Sequence, residues 1–92
     1  MKEHEFKVQN RLGLHARPAA IFVQTTNRFK SSVKVRRGDQ EVDGKSIMGI
    51  LLLAAGAGTT IVITADGIDE ADAIDALCRL VNGGFGEEVW NA

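Results

Sequence analysis

The run Thr59-Thr60-Ile61-Val62-Ile63-Thr64-Ala65 is the most β-branched stretch of the chain, and it constrains everything around it. β-branched side chains suit a pleated, half-buried surface, so residues 59–65 are expected to form a central strand. A central strand needs a neighbour on each flank. Residues 3–8 offer one, with His4, Phe6 and Val8 on one face and Glu3, Glu5 and Lys7 on the other. That alternation is the mark of a strand buried on one side. Residues 32–36 and 40–43 offer two more short strands, joined by a turn around Gly38-Asp39.

Between these strands lie segments of helical period. Residues 16–27 carry an apolar stripe of Ala19, Phe22 and Val23, with Thr26 following. Pro18 is compatible with that helix because a first-turn N–H has no intrahelical acceptor to lose. Residues 46–53 form a short helix, closed by the small, flexible stretch 54–58. Residues 69–82 form the last helix: Ile74, Leu77, Cys78 and Val81 recur at helical spacing, acids fill the first turn, and Gly83 stops it. The order is β-α-β-β-α-β-α. One apolar face per strand and one apolar stripe per longer helix predict an α+β fold in two layers, a four-stranded antiparallel sheet with helices on one side. Periodicity does not specify strand order, and the same opening also suits a ferredoxin-like sheet. One domain is expected over 1–92, with residues 87–92 a short tail.

Charge and cysteine usage narrow the function classes. Eleven basic against twelve acidic residues leave a net charge of −1, which gives no general attraction to nucleic acid or anionic membrane. The lone Cys78 excludes an intramolecular disulfide. The first residues lack the apolar stretch of a secretory signal, and the longest apolar run, 47–58, is too short to span a bilayer. A cytoplasmic location without membrane insertion is expected.

The chemistry is concentrated in Gly13-Leu14-His15-Ala16-Arg17-Pro18-Ala19-Ala20. Gly13 permits a sharp turn, and His15 falls just before the first helical residue, facing the orphan N–H groups of Ala16 and Arg17. A helix N-terminus favours anions through its amides and its dipole. Arg17 adds a planar cation suited to phosphate oxygens, and a neutral imidazole nitrogen is a competent nucleophile. On local geometry alone this is an anion site.

The same eight residues resemble the active-site signature of the HPr family, the histidine-containing phosphocarriers of the bacterial phosphoenolpyruvate-dependent phosphotransferase system. The resemblance continues through Gly44-Lys45-Ser46-Ile47-Met48-Gly49-Ile50, Ala65-Asp66-Gly67, the acidic last helix and the Gly-Phe-Gly-Glu of residues 84–87. It implies an open-faced β-sandwich with three helices on one side of a four-stranded sheet. It implies a carrier and not an enzyme: His15 accepts a phosphoryl group from enzyme I and passes it to an EIIA component, in sugar uptake or its regulation, with Arg17 assisting. It also implies that Ser46, in any case a good N-cap, is a regulatory phosphorylation site for a serine kinase and phosphorylase. One departure is Leu12, where many relatives carry a small polar residue.

The short helix places Ile47, Met48, Ile50, Leu51, Leu52 and Leu53 around almost its whole circumference. A helix lying on one sheet buries one stripe. With Ile50 and Leu53 inward, Ile47, Met48 and Leu51 form an outer surface for partners, to which Leu14 is added beside the histidine. His4 is expected to be half-buried and Cys78 to lie in the core. Two histidines and one distant cysteine make no metal-ligand spacing. Thr59 follows the glycines of 54–58 without the lysine that a nucleotide-binding loop needs, so no cofactor or metal is expected. An RNA-binding module would want exposed aromatics on its strands, and the strands hold only Phe6, on the core face. A nitrogen-branch or purely regulatory relative remains the alternative. Nothing points to obligate oligomerisation, and a monomer is expected.

Overall fold

β-branched Thr60–Asp66 does lie inside the sheet, where it is paired on both sides. The computed structural model describes residues 1–9, 13–53 and 55–86. In chain order these form β1 (Lys2–Lys7), α1 (Ala16–Thr26), β2 (Ser32–Arg37), β3 (Gln40–Asp43), α2 (Ile47–Leu53), β4 (Thr60–Asp66) and α3 (Glu70–Asn82), followed by a 3₁₀ turn at Gly84–Gly86. The sheet order is β1-β4-β2-β3, and every pairing is antiparallel. The first strand therefore stands at an edge with β4 and β2 in the centre, which is the open-faced arrangement and not the ferredoxin-like one. No helix among the described residues is long and apolar enough to cross a membrane.

Alternation decides which face is covered. Phe6, Val33, Val35, Ile61, Ile63 and Ala65 point to the helices and are buried. Glu3, Lys34, Arg36 and Glu41 occupy the other face, which stays polar and open to water. The helices answer with Ala19 and Phe22 from α1, Ile50 and Leu53 from α2, and Ala73, Leu77 and Val81 from α3, all in one cluster. Cys78 is only half-buried at the rim of that cluster, where its sulfur accepts from Asn82 Nδ2 at 3.2 Å.

His4 corrects the expectation drawn from alternation. It lies opposite Ile63 on the inward side, yet it is exposed. β1 is an edge strand, so among the described residues no further strand flanks His4, and its ring rests 4.6 Å from that of Phe6. Gly83 stops α3 as expected: it is the C-cap residue after Asn82, and its N–H donates to Arg79 O at 3.0 Å. Its φ is −84°, and the left-handed residues come after it, Gly84 at +64° and Phe85 at +58°.

Two polar junctions hold the helices in place. Thr26, fully buried, donates its hydroxyl to the Gly44 carbonyl at 2.8 Å and so fastens the end of α1 to the turn before α2. That turn is closed by Lys45 N–H on Asp43 Oδ1 at 2.9 Å and by Gly44 N–H on Val33 O at 2.7 Å. At the far end, Asp69 is the N-cap residue of α3, but its side chain makes no capping hydrogen bond. Its carboxylate instead accepts Lys30 N–H at 2.8 Å, Ser31 N–H at 2.9 Å and the Ser31 hydroxyl, tying the α1–β2 loop to α3.

The Ser31 hydroxyl, and after it the Lys30 amide, hold the Asp69 carboxyl at about 2, well below the usual carboxylate value. A depressed folded-state value means that Asp69 stabilises the fold fully above the unfolded value near 4, and loses that contribution as pH falls towards 2. Asp69→Asn should therefore lower the melting temperature at neutral pH. The gap from the parent protein should close as thermal melts are taken from pH 4 down to pH 2. A gap that is constant with pH would show that the carboxylate charge plays no part.

Candidate functional site

The segment 13–20 is held as a turn leading into a helix. Gly13 has φ +69°, in the left-handed region that favours glycine. Leu14 N–H donates to Ala55 O at 2.8 Å, and His15 N–H donates back to Gly13 O at 3.0 Å. His15 is then extended, with φ −85° and ψ −168°, and its carbonyl accepts Ala19 N–H at 2.9 Å. His15 is therefore the N-cap residue of α1 by backbone, while its imidazole makes no capping hydrogen bond.

The first turn is set by sequence. Ala16, Arg17 and Pro18 are its first three residues. Proline has no N–H, and Ala19 N–H is spent on His15 O. Ala16 and Arg17 are thus left as the two outward donors, on exposed residues. The Arg17 side chain is exposed and makes no ion pair among the described residues. Pro18 and Ala19 are buried and hold this turn against the core. The half-exposed His15 immediately precedes the two residues that carry these amides and the exposed arginine, and a helix start with free donors and a cation favours a group carrying negative charge.

Leu14 departs from expectation. It was expected on the partner surface, yet it is 5% exposed and belongs to the core. A leucine between a tight turn and a helix start anchors the loop, and that burial holds the backbone of His15 in place. Leu12 lies outside the described residues, as does the tail 87–92.

α2 adjoins this loop, since Ala55, which holds Leu14 N–H, lies two residues beyond its last residue, Leu53. At its start the Ser46 hydroxyl accepts Gly49 N–H at 3.2 Å, the geometry of an N-cap. Ile50 and Leu53 are fully buried, whereas Ile47, Met48, Leu51 and Leu52 are 41%, 61%, 36% and 66% exposed. Three of these were expected outside. Leu52 was not, although it stands four residues after Met48 on the same face. Among the described residues, Met1 and Ile68, the latter in the β4–α3 turn, are the further large hydrophobic side chains left in water, and Ile68 carried no periodic signal. Among the described residues, no cluster of His, Cys, Asp and Glu could hold a metal ion.

An open-faced sandwich with a half-exposed histidine at the start of its first helix defines a class, the small histidine-containing phosphocarriers. Comparison with known proteins specifies the family. The family model described as the PTS HPr component phosphorylation site matches residues 2–83. The phosphocarrier protein HPr of Neisseria meningitidis serogroup A is 51% identical over 87 residues, covering 95% of this chain and 98% of that protein. The HPr-like protein Crh of Halalkalibacterium halodurans is 43% identical over 81 residues, 88% of this chain and 96% of that one. The crystal structure of HPr-C-His from Thermoanaerobacter tengcongensis superposes with a TM-score of 0.93 at 46% identity, covering 96% and 99% of the two chains. The chain belongs to the HPr family, and it is a phosphocarrier of the phosphotransferase system, not a catalyst in its own right.

Proposed function

We propose that His15 is the residue that carries the phosphoryl group, taking it from phospho-enzyme I and giving it to an EIIA component. The observation behind this reading is the N-cap that does not cap. The His15 backbone is bonded on both sides, while the residue is half-exposed and immediately precedes the free first-turn amides of Ala16 and Arg17. A neutral ring nitrogen attacks phosphorus in line. The new N–P bond forms as the bond to enzyme I breaks, and the bonding pair leaves with the donor. Charge spread over the three phosphoryl oxygens meets two N–H donors and the Arg17 guanidinium. The reverse sequence hands the group to the acceptor, so the protein is turned over by others in the cytoplasm where its donor works.

We read the exposed side of α2 as the matching docking surface. Ile47, Met48, Leu51 and Leu52 are exposed on the helix whose end leads to Ala55 and the His15 loop, and a methionine-bearing patch adapts to more than one partner. Ser46 starts this helix. A phosphate on its hydroxyl is tolerated by the helix dipole. It also sets about two negative charges beside Ile47 and Met48, where a partner presents apolar surface. We read Ser46 as the regulatory site on that ground.

Labelling by phosphoenolpyruvate and enzyme I is expected to yield one acid-labile phosphate. It is lost in His15→Ala and kept in His4→Ala; full labelling of the His15 variant contradicts the assignment. Arg17→Ala removes a charge-assisted contact valued on the order of 1.5–3 kcal/mol. The transfer rate then falls roughly ten- to a hundred-fold with the fold intact.

Docking is tested by Met48→Asp and Ser46→Asp. Met48→Asp weakens binding to enzyme I and to the acceptor together, with melting temperature nearly unchanged. Ser46→Asp keeps a helix cap, so its stability holds while its phosphorylation slows; Ser46→Ala, which loses the cap, should cost about 1 kcal/mol yet transfer normally. Wild-type kinetics in both Asp variants would remove α2 from the partner surface.

A further inference from the structure

The His15 loop does not rest on α1 alone. It is pressed against the connection between α2 and β4, and the approach is closer than any side chain would permit. A Cβ built on Gly13 would lie 2.4 Å from Ala55 O, 2.7 Å from Gly56 Cα and 3.1 Å from Gly56 C. All three are backbone atoms, which no rotamer change can move aside. Across this gap Leu14 N–H reaches Ala55 O at 2.8 Å, and Ala55 is itself buried at 1% exposure. The connection is fixed from its other side as well. Gly58 N–H donates to Val8 O at 2.8 Å, and Val8 N–H to Thr59 O at 2.9 Å, extending the β1–β4 pairing past both strand ends. The platform under the histidine therefore belongs to the sheet.

Gly38 supplies the contrast. Its φ of +59° is close to that of Gly13, yet a Cβ there meets nothing within 4 Å. One left-handed glycine serves a turn in open water. The other serves a contact. Since His15 N–H is bonded to Gly13 O at 3.0 Å, any shift of Gly13 away from Ala55 passes directly to the histidine backbone.

We propose that Gly13 and the Ala55 carbonyl form a positioning junction that sets the His15 ring for in-line transfer, Gly13 by lacking a Cβ and Ala55 by holding Leu14 N–H. This rests on the reading of His15 as the carrier. Neither residue touches phosphate; both act through the backbone of His15. Because Ala55 lies two residues beyond the docking helix, the junction also links the end of that helix to the His15 loop through one hydrogen bond.

The test measures kcat and KM for phosphorylation of the full-length protein by enzyme I. Gly13→Ala is compared with Gly38→Ala, which bears the same left-handed strain without the clash. A displacement of about 1 Å at a reacting group costs on the order of a hundredfold in rate. Gly13→Ala should lose roughly ten- to a hundred-fold in kcat with KM little changed, because the α2 surface is untouched. Gly38→Ala should transfer as the parent does. In a second variant Leu14 is replaced by its α-hydroxy acid analogue, which exchanges the N–H for an ester oxygen and adds no bulk. Its kcat should fall in the same sense, and it decides the matter if Gly13→Ala does not fold. A folded variant of either kind with parental kcat overturns the junction, as does an equal loss of kcat in Gly38→Ala. If the parent protein carries no phosphate on His15, the carrier assignment falls first and the junction with it. If the parent is labelled there and the variants match it, the junction alone falls.

Discussion

A four-stranded sheet of this size buries one face only, and the rest of the structure follows from that constraint. All three helices must share the covered side, and each can give it only a stripe. α1 and α3 accept the terms, with Phe22 and Leu77 inward and polar residues outward. α2 cannot. With Ile50 and Leu53 already in the core, the remaining aliphatic residues of this seven-residue helix have no sheet left to cover them. The surplus is an exposed aliphatic patch on the helix whose end leads to Ala55 and the His15 loop, and this is the patch we propose as the docking surface.

The same economy governs the reactive end. A phosphoryl carrier has no cleft to close, and it must offer its ring to a donor and an acceptor in turn. The observed solution is to fix the backbone and leave the ring accessible. The burial of Leu14, the Leu14–Ala55 hydrogen bond and the Ala19 bond to the His15 carbonyl immobilise the chain on either side of the imidazole. Pro18 removes a donor that would otherwise need a partner, and leaves the amides of Ala16 and Arg17 as the donors we propose for the phosphoryl group. Rigid scaffold and exposed group are compatible because the restraint runs through main-chain atoms.

Much of this was legible in the residues. The 40–43 strand has the bounds expected for it, and the other elements shift by about one residue at their ends. Alternation reports which face a side chain takes, not where the last ladder bond falls. For the same reason it could not order the strands, nor see that His4 sits on an edge where an inward direction brings no burial. Leu14 was misassigned because a single apolar residue in a loop has no period to place it; only the carbonyl of Ala55, forty-one positions away in sequence, reveals that the loop folds inward. Leu52 could have been found from its four-residue spacing to Met48. At His15 the residues by themselves pointed to an anion site, and the family resemblance supplied the reading of a carrier residue that we propose.

The central claim is that the phosphoryl group on His15 is received by the first-turn amides of α1. The most direct measurement is the backbone amide spectrum of isotope-labelled protein, recorded by NMR before and after phosphorylation by phosphoenolpyruvate and enzyme I. The account predicts that the amide protons of Ala16 and Arg17 move downfield by the largest amounts in the spectrum, as new hydrogen bonds to phosphate oxygens form. A phosphorylated His15 whose Ala16 and Arg17 amides stay where they were would contradict it.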